Sequence, residues 1–266
     1  MKITVCIKQV PGTSQVEIDQ ETGVLKRDGV ESKMNPFDLY ALETALQLKQ
    51  RYGGEITVIS MGPPQAQAVI REAFMMGADH GFLLSDRKFG GADVLATSYT
   101  ISQGIRAAGP FDLILCGKQT TDGDTAQVGP ELAESLGIPH VTNVCAVHDA
   151  DASSLTVTQD LPLHRLKAKI LLPCLITVEK NIFEPRLPSY KLLCATAQRE
   201  IPVLTLEDLA DKDATHYGLN GSPTQVKRIF PPEKSNRQEK WEGAGEELSE
   251  RLFRYLSDNK FLQKLG

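Results

Sequence analysis

No apolar run in this chain approaches the length that a membrane-spanning helix needs. Basic residues form no block. The chain holds 29 Lys and Arg against 34 Asp and Glu, a net charge of -5, so nucleic acid is not an expected partner. The cysteines Cys6, Cys116, Cys145, Cys174 and Cys194 are odd in number, widely spaced and free of any C-x-x-C. Most lie in apolar runs, which reads as buried, reduced thiols in a cytoplasmic protein rather than metal or redox use. His80, His140, His148, His164 and His216 show no zinc spacing and no H-E-x-x-H. The G-x-S-x-G elbow, the P-loop and G-x-G-x-x-G are all missing. Familiar hydrolases are thereby disfavoured, and any chemistry is expected to come from a bound cofactor. The opening Met1-Lys2-Ile3-Thr4-Val5 runs straight into a strand pattern and does not read as a secretory signal. What remains is 266 residues with 41% hydrophobic content, enough for one large or two small globular domains.

Strand and helix patterns alternate through the first two-thirds. Strands are expected at 3–10, 55–60, 81–84, 112–116 and 140–147. Between them, Asn35-Pro36 opens a helix with Leu39, Leu42 and Leu46 on one face, since Asn suits an N-cap and Pro the first helical position. Further helices are expected over Val69, Ile70, Ala73 and Met76, over 92–108, and over 125–136. The pattern then changes: 155–158 and 170–178 read as strands with little helix between them, an antiparallel extension of a mainly parallel sheet. Glu184-Pro185-Arg186-Leu187-Pro188 breaks regular structure. Past it lie an amphipathic stretch at 204–209, a polar segment, Pro231-Pro232, a charged linker at 233–239 and a final helix at 246–261. The expected organisation is an α/β nucleotide-binding domain over 1–188. A docking loop and C-terminal arm follow at 189–266, with too few strands for a core of their own.

The stretch Gly117-Lys118-Gln119-Thr120-Thr121-Asp122-Gly123-Asp124-Thr125-Ala126-Gln127-Val128-Gly129-Pro130 carries most information. It joins an apolar strand to a helix. A glycine-rich turn there aims backbone N–H groups and the positive end of the helix dipole at one point, a natural seat for phosphate or diphosphate. Gly123, Thr125, Ala126 and Gly129 are small, so a ligand larger than a mononucleotide has room to lie across the turn. Open α/β sheets bind ligands at the carboxyl ends of their strands. The turns Lys8-Gln9-Val10-Pro11 and Met61-Gly62-Pro63 sit at such ends, and Asn35-Pro36-Phe37-Asp38 stands at a helix start that can close the same crevice. Backbone beside Cys6 would read an adenine edge, Asn35 and Asp38 a base or ribose. The alternative is that each turn is a connector with suitable turn chemistry. Asp122 and Asp124 repel phosphate; capping is the expected role for both, with Lys118 as a neutralising cation or a solvated side chain. Arg186 either clamps an anion or pairs with Glu184 or Glu179.

These same residues resemble the small, or beta, subunit of electron-transferring flavoproteins. The resemblance runs through Cys6 to Pro11, Met34 to Asp38, Met75 to Asp79, Gly91-Ala92-Asp93 and Ala96 to Tyr99. It continues through Leu115 to Pro130 and Glu184-Pro185-Arg186. It implies a nucleotide-binding α/β domain, of adenine nucleotide hydrolase-like or flavodoxin-like kind, and an arm that embraces an alpha subunit. One group of the family holds structural AMP behind a bulkier, more acidic loop. The other holds a second FAD and bifurcates electrons, and the small Gly123-to-Gly129 version resembles that group. The implied function is then transfer from NADH to the FAD of this subunit. One electron would pass through the alpha-subunit FAD to a partner flavin dehydrogenase and the other to ferredoxin, or the flow would run in reverse. Carried over by position, the nucleotide contacts are Cys6, Asn35, Pro36, Phe37, Asp38, Met61, and Gly117 through Val128. The family's lysine-rich docking loop is replaced here by Ser189-Tyr190-Lys191-Leu192-Leu193. With Tyr190, Lys191, Leu192 and Leu193 as docking residues, the expected partner is a 2-hydroxy acid (lactate) dehydrogenase, otherwise one of acyl-CoA dehydrogenase type. A homodimeric nucleotide-binding stress or sensor protein is the rival reading from another class.

Overall fold

The structure, a computed structural model, describes residues 1–12, 32–227 and 239–262. One compact unit spans Met1–Arg228 and a second Ile229–Gly266.

The first unit is built on strands β1 (Lys2–Cys6), β2 (Gln9–Pro11), β3 (Ser32–Met34), β4 (Glu55–Met61), β5 (His80–Leu84), β6 (Leu113–Gly117), β7 (His140–Ala150), β8 (Ser154–Asp160), β9 (Arg165–Leu171), β10 (Cys174–Val178) and β11 (Val203–Leu204). Its helices are α1 (Pro36–Tyr52), α2 (Gln67–Met76), α3 (Val94–Ala108), α4 (Val128–Leu136) and α5 (Tyr190–Thr196). The main sheet runs β11-β5-β4-β1-β6-β10-β7-β8-β9. Strands β11 through β7 are parallel, and β8 and β9 extend the sheet antiparallel. This is an α/β fold on a mainly parallel sheet. The strand order reverses direction at the β1–β6 boundary, where crossover helices leave to opposite faces and a crevice opens.

Buried parallel strands read as continuous apolar runs because both faces are covered. In β6, Leu113 and Leu115 pack with α1 and α2 residues such as Leu42, Leu46, Ile70 and Phe74. Ile114 and Cys116 point the other way, into a core with Ile101 and Ile105 of α3 and Leu132 and Ala133 of α4. Helix ends follow their punctuation. Gly53 (φ 73°) stops α1 and Gly77 (φ 123°) stops α2, both in backbone that favours glycine. Asp93 starts α3 by accepting the Ala96 N–H at 3.1 Å.

Several elements differ from the sequence-based expectation. The strand expected at 3–10 ends at Cys6; the chain then re-pairs as a separate β2–β3 ribbon. The strand expected at 170–178 is two, because Pro173 has no N–H for the ladder. The helix expected from 125 starts at Val128, after a loop held in non-helical backbone. Residues 189–199, read as a loop, contain α5, whose Ser189 cap accepts the Leu192 N–H. The compact unit continues past 188 to Arg228: α5 packs on α2, and β11 adds to β5 through Leu83 N–H to Pro202 O and Ser85 N–H to Leu204 O, both 3.0 Å. Pro231-Pro232 and the linker expected at 233–239 lie outside the described residues except Glu239. Within the second unit, α6 (Gly245–Asp258) exposes Leu252, Phe253 and Tyr255, and Trp241 meets Tyr255 at 5.6 Å between ring centroids. No helix among the described residues is long and apolar enough to cross a membrane.

Candidate functional site

At the carboxyl ends of β1 and β6 lies a cavity of about 530 Å³. It sits where an open parallel sheet places its ligands. Of the residues singled out from sequence, Cys6, Asp38, Met61, Gly117, Lys118, Gln119, Thr120, Gly123, Thr125, Ala126, Gln127 and Val128 line it. Asn35, Pro36, Phe37, Thr121, Asp122 and Asp124 do not. A second wall was missed by sequence reasoning. It comprises Phe89, Gly91 to Val94, Thr97 and Ile101, with Val226 at the rim. The Gly91-Ala92-Asp93 start of α3 was its available signal, as another helix entrance after a strand.

Asn35 holds the loop in place. It occupies the N-cap position of α1, yet its side chain makes no cap bond. It donates instead to Gln119 O at 2.9 Å and accepts the Thr121 N–H at 3.3 Å. The loop's acids are engaged as well. Asp122 is paired with Lys8 at 2.8 Å, and Asp124 accepts from the Gln119 amide. Burial would raise the Asp122 carboxyl, but the Lys8 ammonium outweighs it and holds the group below its usual range. Neither aspartate caps α4, contrary to expectation; Gln127 occupies that position. Lys118 turns to Glu179 at 2.7 Å rather than to these acids.

The cradle itself is backbone. The first intrahelical bond of α4 runs from Glu131 N–H to Gln127 O at 3.1 Å. Ahead of it, the N–H groups of Thr125, Ala126 and Gln127 meet no protein acceptor among the described residues. Asp124 (φ 54°) and Ala126 (φ 57°) adopt left-handed backbone, which costs non-glycine residues about 1 kcal/mol or more each. Such strain is characteristic of ligand clamps. Two glycines let the walls close in. A methyl on Gly117 would lie 2.5 Å from Asp38 Oδ1, and one on Gly129 2.4 Å from Thr177 Cγ2.

Comparison with known proteins fits this geometry. The Electron transfer flavoprotein domain matches residues 22–209. An electron transfer flavoprotein subunit beta from Clostridium acetobutylicum is 47% identical over 228 residues, covering 86% of this chain and 87% of the relative. The chain belongs to the beta-subunit family of electron transfer flavoproteins. Protein FixA of Bradyrhizobium diazoefficiens is 42% identical, over 88% of this chain and 83% of its own. Subunit CarD of the caffeyl-CoA reductase-Etf complex of Acetobacterium woodii is 44% identical, over 87% of this chain and 88% of its own.

One charged group sets this family member's site apart from a bare connector cluster. Asp38 is buried at the cavity wall, where it accepts the backbone N–H of Lys8 at 2.8 Å. Burial pushes its carboxyl up to about 7, against hydrogen bonds from Asn35, Lys8 and Gly117. A carboxyl raised on folding stabilises fully below its unfolded pKa and loses that stabilisation as pH rises through the folded one. Wild type should therefore lose stability relative to Asp38→Asn from pH 4 to 7, at up to about 1.4 kcal/mol per pH unit. Urea unfolding of both proteins across that range checks this; parallel pH profiles would contradict it.

Arg186, expected to clamp an anion or to pair with Glu184 or Glu179, pairs with Glu43 of α1 instead. Its Nε and Nη2 reach the two carboxylate oxygens at 2.8 Å each, and its backbone N–H adds a third bond at 3.2 Å. The Glu43 side chain is 2% exposed and that of Arg186 40%. The Tyr190-to-Leu193 segment lies on α5, away from the cavity, with Tyr190 and Leu193 exposed.

Proposed function

We propose that this protein is the beta subunit of an electron-bifurcating electron transfer flavoprotein. It would pair with an alpha subunit in the cytoplasm and hold FAD in the cavity at the β1–β6 switch point. Electrons from NADH would divide between ferredoxin and, by way of the alpha-subunit flavin, a partner flavin dehydrogenase, or flow in reverse. The observation that carries this reading is the small-residue backbone cradle opening onto a mainly apolar cavity of about 530 Å³. Thr125, Ala126 and Gln127 would hold a diphosphate through their N–H groups at the positive end of α4. Ile59, Met61, Phe89, Val94 and Ile101 would flank flat ring systems and exclude water. Cys6 and Asp38, at the ends of β1 and the start of α1, would stand toward the base and ribose.

When bound, a flavin supplies the conversion between two-electron and one-electron transfer. The chain's own part is positional. The pairs Lys8–Asp122 and Lys118–Glu179 tie cationic side chains to the rim, so the cradle's positive character comes from amides. Support for a multi-enzyme setting comes from the CarD relative, named for its complex with a caffeyl-CoA reductase. The Tyr190-to-Leu193 face of α5, with one lysine, suits a docking partner recognised by apolar contact more than by charge; a lactate-type dehydrogenase is the proposed partner.

Co-purification with the alpha subunit, followed by acid release and chromatography of bound nucleotides, tests this. Two FAD per heterodimer, with visible absorbance to match, is expected. One FAD with one AMP would assign the non-bifurcating, structural-nucleotide role instead.

A further inference from the structure

We propose that Cys6 and Cys116 form a reversible redox pair on the floor of the nucleotide cavity, closed to a disulfide by hydrogen peroxide and reopened by a thiol reductant. The two residues are direct register partners on the parallel strands β1 and β6. In-register residues of neighbouring strands project to the same face. Here that face carries the cavity, and both cysteines line it. The two thiols are close enough for Cys6 to perturb the titration of Cys116. Neighbouring strands lie about 4.8 Å apart, inside the roughly 4.4–6.8 Å between Cα atoms that a disulfide spans, but toward its short end. The bond is therefore permitted yet strained, and strained disulfides are the more easily reduced ones.

The two thiols are unequal. Cys6 is half-buried at the cavity, so it meets an oxidant first. Cys116 is buried; the neighbouring Cys6 thiol, then burial, then the nearby Asp38 hold its thiol protonated well above the ordinary range. The Cys6 thiolate attacks one peroxide oxygen, breaking the O–O bond and giving a sulfenic acid and water once the thiol's proton is counted. The Cys116 sulfur then displaces the sulfenic hydroxyl, which leaves as a second water with the Cys116 proton. The sum is two thiols and one peroxide giving one disulfide and two waters. Among the described residues no other cysteine is a register partner of either.

Closure has a consequence for the site. Cys116 precedes Gly117, which packs closely against Asp38, and Cys6 precedes the Ile7-Lys8 wall. Drawing the two sulfurs to a bond length of about 2 Å shifts both strand ends where the nucleotide would seat. This second step rests on the cavity being a nucleotide site; formation of the bond does not.

The test treats the purified complex with graded hydrogen peroxide, blocks remaining thiols in denaturant and maps peptides by mass. Expected is a Cys6–Cys116 linked peptide, lighter by two hydrogens, that appears before other cysteines oxidise, forms more slowly with saturating AMP, and disappears with dithiothreitol. Retained nucleotide should fall about tenfold, equivalent to ~1.4 kcal/mol. In Cys116→Ser, a dimedone-reactive sulfenic acid should accumulate on Cys6. Irreversible sulfinic acid on Cys6 without a link would overturn the pair, and so would a link seen only after unfolding. A link with undiminished nucleotide would overturn its coupling to the site. Release of AMP rather than FAD from the untreated complex bears on bifurcation alone and leaves the linked peptide as the deciding readout here.

Discussion

Replacing Arg186 with alanine should destabilise the protein by about 3–5 kcal/mol, the largest single-residue effect expected outside the apolar cores. The asymmetry of the pair decides this. Glu43 is nearly sealed from water, whereas Arg186 keeps two-fifths of its side chain exposed. Removing the guanidinium strands a buried carboxylate with Gln47 as its remaining side-chain donor, at 2.7 Å. Removing the carboxylate instead lets Arg186 turn to solvent, so Glu43→Gln should cost less. Arg186→Lys should fall between, because an ammonium cannot supply the two-pronged fork. Burial would raise the Glu43 carboxyl, but Arg186 and Gln47 together hold it below its usual range. The pair's stabilisation is thus present above the unfolded carboxylate pKa and lost as pH falls through the folded one. Urea titrations of the three variants at neutral pH check the ranking. Equal midpoints for Arg186→Ala and Glu43→Gln would show that burial does not control the pair.

The second large effect belongs to Gly117. Its Cβ would meet Phe37 C at 2.6 Å as well as the Asp38 carboxylate, and main chain cannot rotate aside as a side-chain tip can. Gly117→Ala should force β6 away from the start of α1 and cost about 1–3 kcal/mol, as overpacking does. The same movement spoils the cradle, since Asp38 and Asn35 fix the two ends of that junction. Nucleotide retained through purification should drop to traces while the far-ultraviolet dichroism stays native. Full nucleotide content in a folded Gly117→Ala protein would mean the junction does not shape the site.

Much of this could be read before the structure. Alternating strand and helix patterns, with the glycine-rich turn at a strand end, gave the sheet class and one wall of the cavity, because both are local signals. Asn35-Pro36 announced a helix start correctly, but the asparagine side chain serves a loop more than eighty residues away. That exchange of cap for tether has no local signature. The Glu43–Arg186 and Lys8–Asp122 pairs were equally invisible, since pairing across 143 and 114 residues depends on strand order. The split of 170–178 was legible in principle: Pro173 stood in the middle of the run. The α3 wall was less legible, because Val94, Thr97 and Ile101 read as ordinary residues of a packed helix.

A grip assembled from peptide amides has an implication for anyone redesigning this protein. Between Thr125 and Gln127 the chain offers the same donors whatever side chains it carries, provided the backbone bends are kept. Swapping residues there should therefore act on ligand preference through bulk and charge, not through the donors. Further levers for retargeting lie on the opposite bank, at Ile59, Met61 and Phe89, where side-chain volume sets what shape of molecule the crevice admits.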